Sequence, residues 1–326
     1  MVPLLDGKWG YIDKQGQWII NPQFDTAMPF YIENGLACVT INGKSGFIDK
    51  TGQFVIQPQY ENASSFAENG LAPVQVNGKW GFIDKAGDII IKPQFDYAKK
   101  FQQNGLAEIK LNGKLGFIDK AGKIIVNPQY ENVLGFDDSK MAAVELNNKW
   151  GFINETGKII INPQFDKTNK FGNRNLTAVK LNEKWGFIDK NGKYIINPQF
   201  DDASIFSENG LCCVKLNDKW GFIDETGKFI INPQFDDADG FATNGLAVIK
   251  RNDKWGCINK NGQMVINPQF DDIMIYKNII FVGVYEDEDS SDIKWGIVDK
   301  NGAYIVIPQF DWIVSMSYSN SFHNQH

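Results

Sequence analysis

The sequence predicts an all-β fold, a tandem array of nine units of about 35 residues that each form an antiparallel three-stranded meander. Two observations predict it: one glycine recurs at a nearly constant spacing, and every spacing holds strand and turn signals without a helical period. We expect the units to stack into an open superhelical β-solenoid, with a closed β-propeller-like ring as the alternative. The recurring glycines are Gly10, Gly46, Gly81, Gly116, Gly151, Gly186, Gly221, Gly256 and Gly296.

The period runs through the whole chain. The steps between the glycines are 36 residues, then 35 residues six times, then 40 residues. Such regularity indicates one small structural unit copied in tandem, with each copy burying its apolar surface against its neighbours. Because neither period nor composition marks a boundary, we expect one continuous array over residues 1–326.

The copy from Leu71 to Phe101 illustrates the first two strands. The segment Leu71–Val76 reads as a strand and is followed by Asn77-Gly78. This dipeptide is the strongest short hairpin signal, because a type I′ turn needs positive φ at both central residues. The second strand is therefore Lys79–Asp84, paired antiparallel with the first.

The third strand follows a glycine turn. Asp84 opens this turn and Gly87 supplies its left-handed residue, after which Asp88–Ile91 is the strand. Pro93 ends it or places it at an edge, because proline cannot donate to a strand ladder. Residues 96–104 then lead the chain to the next copy.

The two-residue turn also sets the register of the hairpin. We expect Gln75 opposite Trp80 and Val74 opposite Gly81, so that Trp80 and Phe82 share one side of the sheet. Both sides are partly apolar, which suits stacking between copies. The glycine beside the Trp leaves room for a neighbouring backbone or side chain.

Composition excludes several kinds of partner. The net charge is −6 and Arg174 and Arg251 are the two arginines, so few bidentate phosphate contacts are available and we expect no nucleic-acid binding. No apolar run is long enough to span a membrane. We therefore expect a protein partner, with a glycan as the alternative.

The cysteines favour a reducing compartment. We interpret all of them as small hydrophobic residues, because no CxxC pair and no companion His indicate a zinc site. Residues 1–8 lack the pattern of a secretory signal, and free thiols fit a cytoplasmic protein. The cysteines are Cys38, Cys212, Cys213 and Cys257.

Carboxylates recur in two columns, for which a metal ladder is the functional alternative. We favour capping of backbone amides, because Asn154 and Asn259 replace Asp in the turn column. The turn column is Asp13, Asp49, Asp84, Asp119, Asp189, Asp224 and Asp299. The other column is Asp25, Glu61, Asp96, Glu131, Asp166, Asp201, Asp236, Asp271 and Asp311.

The sequence does not favour catalysis. Both histidines, His323 and His326, lie in a polar C-terminal tail, residues 319–326, so no Ser/His or Cys/His set can form in the array. Near-identical carboxylates do not provide the unlike environments of a general acid and base. No phosphate-binding glycine loop occurs. We expect no enzyme, no cofactor and no metal.

The recurring tryptophans are ambiguous. A row of aromatic rings at repeat spacing binds sugars in some proteins, but it also packs between copies. Packing is favoured, because Ser45 and Leu115 fill the same position in two copies. The candidate glycan-binding residues are Trp80, Trp150, Trp185, Trp220 and Trp255.

Departures from the period are the candidate protein-binding positions. One copy replaces its Asn-Gly turn with a segment around Arg174, an acidic insertion occupies residues 286–292, and the C-terminal end becomes more apolar. A solvated loop and a cap on the last sheet are the structural alternatives. The candidate residues are Arg174, Glu286, Asp287, Glu288, Asp289 and Trp312.

The recurring Gly-Lys-Trp-Gly-Phe-Ile-Asp-Lys-x-Gly, with Pro-Gln-Phe-Asp and Asn-Gly-Leu-Ala after it, resembles the bacterial WG-repeat (KWG) family over essentially the whole chain. The resemblance implies tandem β-repeats, and no catalytic residues come with it. We therefore expect a non-enzymatic scaffold that binds a protein partner, with an immunity or regulatory protein as one specific form. The alternative is a glycan or cell-wall binding module that uses the Trp column.

Overall fold

The computed structural model describes residues 4–5, 7–13, 17–30, 35–172, 174–286 and 292–310. Within them every regular element is a strand, and the strands form nine antiparallel sheets, called sheets 1 to 9 in chain order. The prediction of an all-β tandem array of nine antiparallel units is confirmed. The chain divides into two compact units, Met1–Gln164 and Phe165–His326.

Each sheet contains the three predicted strands, which are neighbours in chain order. The first hairpin strands are β1 (Leu4–Leu5), β5 (Ala37–Ile41), β9 (Ala72–Val76), β13 (Ala107–Leu111), β17 (Met141–Leu146), β21 (Leu176–Leu181), β25 (Cys212–Leu216), β29 (Leu246–Arg251) and β33 (Ile279–Tyr285). The second hairpin strands are β2 (Lys8–Ile12), β6 (Lys44–Ile48), β10 (Lys79–Ile83), β14 (Lys114–Ile118), β18 (Lys149–Asn154), β22 (Lys184–Asp189), β26 (Lys219–Ile223), β30 (Lys254–Asn259) and β34 (Ile293–Val298). The third strands, here called edge strands, are β3 (Trp18–Phe24), β7 (Phe54–Tyr60), β11 (Ile89–Phe95), β15 (Ile124–Tyr130), β19 (Ile159–Phe165), β23 (Tyr194–Phe200), β27 (Phe229–Phe235), β31 (Met264–Phe270) and β35 (Tyr304–Phe310).

Sheets 2 to 9 have in addition a short strand, which pairs with the first hairpin strand and makes each sheet four-stranded. One or two residues separate it from the end of the edge strand of the preceding sheet, so consecutive sheets are joined almost without a linker. The short strands are β4 (Thr26–Ala27), β8 (Asn62–Ala63), β12 (Tyr97–Ala98), β16 (Val133–Phe136), β20 (Lys167–Thr168), β24 (Asp202–Ala203), β28 (Asp237–Ala238) and β32 (Asp272–Tyr276).

The hairpin turns have the predicted type I′ geometry. Asn77 and Gly78 have φ of 49° and 73°, and Asn182 and Glu183 hold the same turn at 52° and 64°. Positive φ at both central residues matches the twist of the flanking strands. The predicted register is confirmed, with Trp80 opposite Gln75.

The glycine beside the Trp is required by a close approach of the edge strand. A Cβ atom on Gly81 would lie 2.4 Å from the carbonyl oxygen of Ile91 and 2.6 Å from the nitrogen of Pro93. The register between β10 and β11 shifts at this point, as it does at a β-bulge. The predicted space for a neighbouring backbone is therefore filled by the copy's own edge strand.

The core lies between sheets, because both sides of a sheet are apolar. In sheet 3 one side carries Phe82, Ile91 and Phe95, here called the Phe side, and the other carries Val74 and Ile83, the Val side. The Phe side packs against the Val side of sheet 4, while the Val side packs against the Phe side of sheet 2. The same packing joins sheets 1 and 2 and sheets 4 and 5 in the first unit, and sheets 6 to 9 in the second.

Turn glycines complete these contacts. A Cβ on Gly122, at the turn before the edge strand of sheet 4, would lie 3.2 Å from the Ile91 side chain of sheet 3. Gly122 has a φ of 80°, so it provides both the left-handed backbone and the room for Ile91. Since burying an Ile or Phe side chain stabilises by about 1.5–3 kcal/mol, most of the stability resides between sheets.

We expect Gly81→Ala to lower the free energy of unfolding by about 3 kcal/mol, because the new Cβ would meet backbone atoms that cannot move aside. Gly78→Asn is the control, because Asn148 holds the same turn position at a φ of 59°. It should cost at most about 1 kcal/mol. Urea unfolding followed by Trp fluorescence measures the loss of stability in both variants. Equal losses would contradict the close approach of the edge strand to Gly81.

Candidate functional site

The residue that joins consecutive sheets is a carboxylate, the second column of the sequence. Asp96 lies between β11 of sheet 3 and β12 of sheet 4. Its carboxylate accepts a hydrogen bond from Lys79 Nζ at 2.7 Å and from the Gly113 amide at 3.4 Å. Lys79 belongs to sheet 3 and Gly113 to the hairpin turn of sheet 4, so this side chain ties the two sheets together.

This arrangement recurs along both units. Lys114 pairs with Glu131 at 2.6 Å, and the turn amide of Asn147 donates to the same carboxylate at 3.2 Å. The other Lys–Asp pairs are Lys8–Asp25, Lys184–Asp201, Lys219–Asp236 and Lys254–Asp271. Each carboxylate of this column that the structure describes therefore accepts a hydrogen bond from a backbone amide, and most also from a lysine, while Asp311 lies outside the described residues.

These hydrogen bonds change the acidity of the column. The Lys79 ammonium, and then the Gly113 amide, hold the pKa of Asp96 below its ordinary value of 3.8. Lys114 likewise lowers the pKa of Glu131. A lowered pKa keeps the carboxylate charged and makes it a poor general acid near neutral pH.

The turn column caps backbone amides, as predicted. Asp119 Oδ1 accepts hydrogen bonds from the amides of Ala121 and Lys123 at 2.9 and 3.0 Å. Asn154 Oδ1 accepts the equivalent bonds, from Thr156 at 3.1 Å and Lys158 at 3.0 Å. Because the amide oxygen of Asn accepts the same hydrogen bonds as the carboxylate of Asp, this position requires a hydrogen-bond acceptor and not a negative charge.

The described residues contain no group of three His, Cys, Asp or Glu side chains placed to hold a metal ion. All four cysteines are free and buried, and burial raises the pKa of the Cys38 thiol to about 12. Cys213 and Cys257 lie in the cores between sheets, packed like the Phe and Val residues of other copies. They act as small hydrophobic residues.

No helix that could cross a membrane is found in the described part of the chain.

The Trp column is half-buried. Trp80, Trp150, Trp220 and Trp255 are partly covered, and Trp185 is 9% exposed. The Trp80 ring meets the Tyr97 ring edge-on at 5.7 Å between centroids. Lys250, which lies opposite Trp255 in the hairpin, places its Nζ 5.8 Å from the centre of the Trp255 ring. Partial burial of these rings favours packing between copies over a row of open faces for sugars.

Arg174 makes contacts within the chain. Its Nη1 donates to Glu225 at 2.8 Å, and its Nη2 donates to the carbonyl oxygens of Ser207, at 2.9 Å, and Glu208. Arg174 precedes β21 of sheet 6, whereas these acceptors belong to sheet 7. The guanidinium thus fastens the connector of sheet 6 to that of sheet 7, and a partner would have to displace these bonds.

The other candidate positions are placed only in part. Glu286 is exposed and lies 3.4 Å from Lys294 Nζ. Asp287, Glu288, Asp289 and Trp312 lie outside the described residues, as do most of the acidic insertion and the polar tail.

The structure reveals exposed aliphatic side chains that the sequence analysis did not single out. They lie on the edge strands, at the positions directly after the glycine turn. In the first unit we call them the edge row: Ile19, Val55, Ile89, Ile90, Ile124, Ile159 and Ile160, of which Ile19 is 56% exposed and Ile160 39%. In the second unit the same positions are Ile195, Ile230 and Ile305.

A sequence signal for the edge row exists. Two or three consecutive aliphatic residues open the third strand of most copies, as in Ile89–Ile91, where the structure buries only the last of the three. Recognising it requires knowing that the third strand is at an edge.

We expect Asp119→Asn to leave the free energy of unfolding within about 0.5 kcal/mol of the parent, whereas Asp119→Ala should lower it by about 1 kcal/mol. The reason is that Asn retains the acceptor for the amides of Ala121 and Lys123. Urea unfolding compares the two variants. Equal losses for Asn and Ala would show that the charge matters and would contradict the capping role.

Acid should destabilise the protein only below about pH 4. The folded chain holds the pKa of Asp96, Glu131 and Asp236 below the ordinary value, so in acid it binds fewer protons than the unfolded chain. The stabilisation is present above the unfolded pKa and is lost as pH falls through the folded pKa. Urea midpoints at pH 7, 5, 4 and 3 measure this. A loss between pH 7 and 5 would contradict it, and Asp96→Asn should reduce the loss at pH 3.

Comparison with known proteins adds a family and a fold. The WG containing repeat family model matches residues 9–44, 46–80, 80–114, 116–150, 150–185, 185–220, 220–255, 255–284 and 295–322. A search of curated proteins found no match.

Solved structures resemble the chain at low sequence identity. One is titled "Crystal structure of the eukaryotic initiation factor", with a TM-score of 0.57 and 10% identity over 93% of this chain and 92% of that one. Another is the Hsv2p structure from Kluyveromyces lactis, with a TM-score of 0.40 and 8% identity over 84% and 97% of the two chains. The first likeness concerns the fold alone.

The nine matches cover most of the sequence, and they recur along the chain at the same spacing as the nine sheets. The chain belongs to the WG containing repeat family.

Proposed function

We propose that this chain is a non-enzymatic repeat scaffold that binds a protein partner through the edge row of its first unit. The observation that carries the proposal is the exposure of aliphatic side chains at the same position of successive sheets, with Ile89 52% and Ile90 49% exposed. Exposed apolar side chains that recur on a rigid frame are typical of protein-binding surfaces.

The surroundings of the edge row support a protein partner. Polar side chains such as Lys92 and Gln94 follow Ile90 on the same strand and are exposed. An apolar centre with a polar rim is the usual composition of a protein interface. Proline at the fifth position of the strand removes one backbone donor, so side chains rather than strand pairing would provide most of the contact.

A protein is favoured over a glycan because the Trp column is half-buried. An immunity or regulatory role toward the product of a neighbouring gene is one specific form of the proposal. A cytoplasmic location is part of it and is supported by the four free, buried thiols.

The test uses a double variant that combines Ile90→Lys and Ile160→Lys. The control is Gln103→Lys, which adds a charge at an exposed connector position of the same unit. Tagged proteins are purified from the cells that make them, and co-purifying proteins are quantified. We expect one near-stoichiometric protein with the parent and the control, and at least about tenfold less of it with the double variant, or about 1.4 kcal/mol of binding free energy.

Two results would contradict the proposal. One is equal recovery of the partner by the double variant. The other is retention of the parent on peptidoglycan without any stoichiometric protein, which would favour the glycan alternative. Unchanged urea midpoints of both variants confirm that the fold is intact.

A further inference from the structure

A cleft of about 330 Å³ lies in the second unit, between the connectors of sheets 7 and 8. A connector is the segment between the short strand and the first hairpin strand of a sheet, residues 204–211 in sheet 7 and 239–245 in sheet 8. The lining includes the buried rings of Phe206 and Phe241 and the side chain of Ile205, which is 50% exposed. The cleft therefore offers apolar surface that solvent can reach.

One departure from the array opens this cleft. Gly240 occupies a position that carries a side chain in five other connectors, where the residues are Pro29, Ser65, Lys100, Lys170 and Ile205. Its φ lies outside the left-handed region, so the backbone does not require glycine there. A Cβ on Gly240 would lie 3.2 Å from Ser207 Oγ of sheet 7. A side chain at this position would therefore extend into the space between the two connectors.

Two other pairs of connectors are joined by N–H donors of the chain itself. In the first unit, Gln103 Nε2 of sheet 4 donates to Glu68 Oε1 of sheet 3 at 3.3 Å. In the second unit, Arg174 of sheet 6 donates to the carbonyl oxygens of Ser207 and Glu208 of sheet 7. Each of these pairs thus meets through a nitrogen donor on one connector and an oxygen acceptor on the other.

The pair formed by sheets 7 and 8 keeps the acceptor and lacks the donor. Glu208 is the counterpart of Glu68, but Thr243 stands where sheet 4 has Gln103. The carboxylate of Glu208 lines the cleft and has no hydrogen bond or ion pair with any residue that the structure describes. An acceptor that the chain itself pairs elsewhere in the array is therefore open to an outside donor here.

We propose that this cleft binds the side chain of an arginine from a partner polypeptide. Its two connectors contain two carboxylates, Glu208 and Asp239, and no Lys, Arg or His, so they attract a cation. The apolar lining suits the aliphatic stem of an arginine, whose guanidinium would donate to the Glu208 carboxylate. Arg174 makes a pair of this kind with Glu225 of sheet 7, at 2.8 Å. The site is independent of the edge row, which belongs to the first unit.

The test is a titration of the full chain, labelled with ¹³C in the Ile δ1 methyl groups, with the peptide acetyl-Ala-Arg-Ala-amide. We expect the Ile205 signal, assigned by its absence from Ile205→Val, to shift along a saturable curve with a dissociation constant on the order of 1 mM. The control peptide carries citrulline, which has the shape of arginine without its charge. It should bind at least about fivefold more weakly, because the charged pair with Glu208 is lost.

Substitutions in the protein locate the binding site. Glu208→Gln should weaken binding of the arginine peptide at least about fivefold and leave the urea midpoint unchanged, since this carboxylate has no described partner to lose. Gly240→Lys, which restores the residue of sheets 4 and 6, should fill the cleft and abolish the saturable shift. Asn232→Lys is its control. It adds the same charge at an exposed edge position of sheet 7, where sheet 3 carries Lys92, and should leave binding unchanged.

Four results would each overturn the proposal. The first is the absence of a saturable shift of Ile205 up to about 20 mM peptide. The second is equal binding of the citrulline and arginine peptides, and the third is undiminished binding by Glu208→Gln. The fourth is an equal loss of binding in Gly240→Lys and Asn232→Lys.

Discussion

The near absence of a linker between consecutive sheets is the constraint on which the architecture depends. When one residue such as Asp96 separates two strands of different sheets, the second sheet can only lie close against the first. The same residue then fixes the junction, because its carboxylate holds a lysine of one sheet and a turn amide of the next. Stacking follows from this junction, and burial on both sides of a sheet follows from stacking.

Two-sided burial explains which positions vary. Phe82 and Ile83 lie on opposite sides of one strand and are both fully buried, so each position needs an apolar residue of suitable volume. Gly81 cannot vary because backbone atoms occupy the space of a side chain. The Trp position lies at the margin of the core between sheets, where Trp80 and Leu115 pack against the buried cluster and are themselves only partly buried, so it accepts residues of different size.

Local features could be predicted from the sequence, and features that depend on a neighbouring sheet could not. The Asn77-Gly78 turn and the Trp80–Gln75 register are set by residues within one hairpin. The short strand Tyr97–Ala98 pairs only because the next sheet offers an edge, and its two residues carry no pattern. The contact of Arg174 with Glu225 joins residues 51 positions apart, which no local pattern reveals. The exposure of Ile90 likewise depends on its strand being an edge.

The order of strands within each sheet is the order in the chain, and this has a consequence for synthesis. Every hairpin can close as soon as its residues have left the ribosome, because its partners are local in sequence. The Phe side of a new sheet, however, stays uncovered until the next copy of about 35 residues has been made, roughly 2 to 7 seconds at ordinary rates of translation. During that interval the proline in each edge strand limits pairing with other nascent chains. The proline of each edge strand therefore affects the growing polypeptide as well as the finished sheet, because in both it removes one backbone donor.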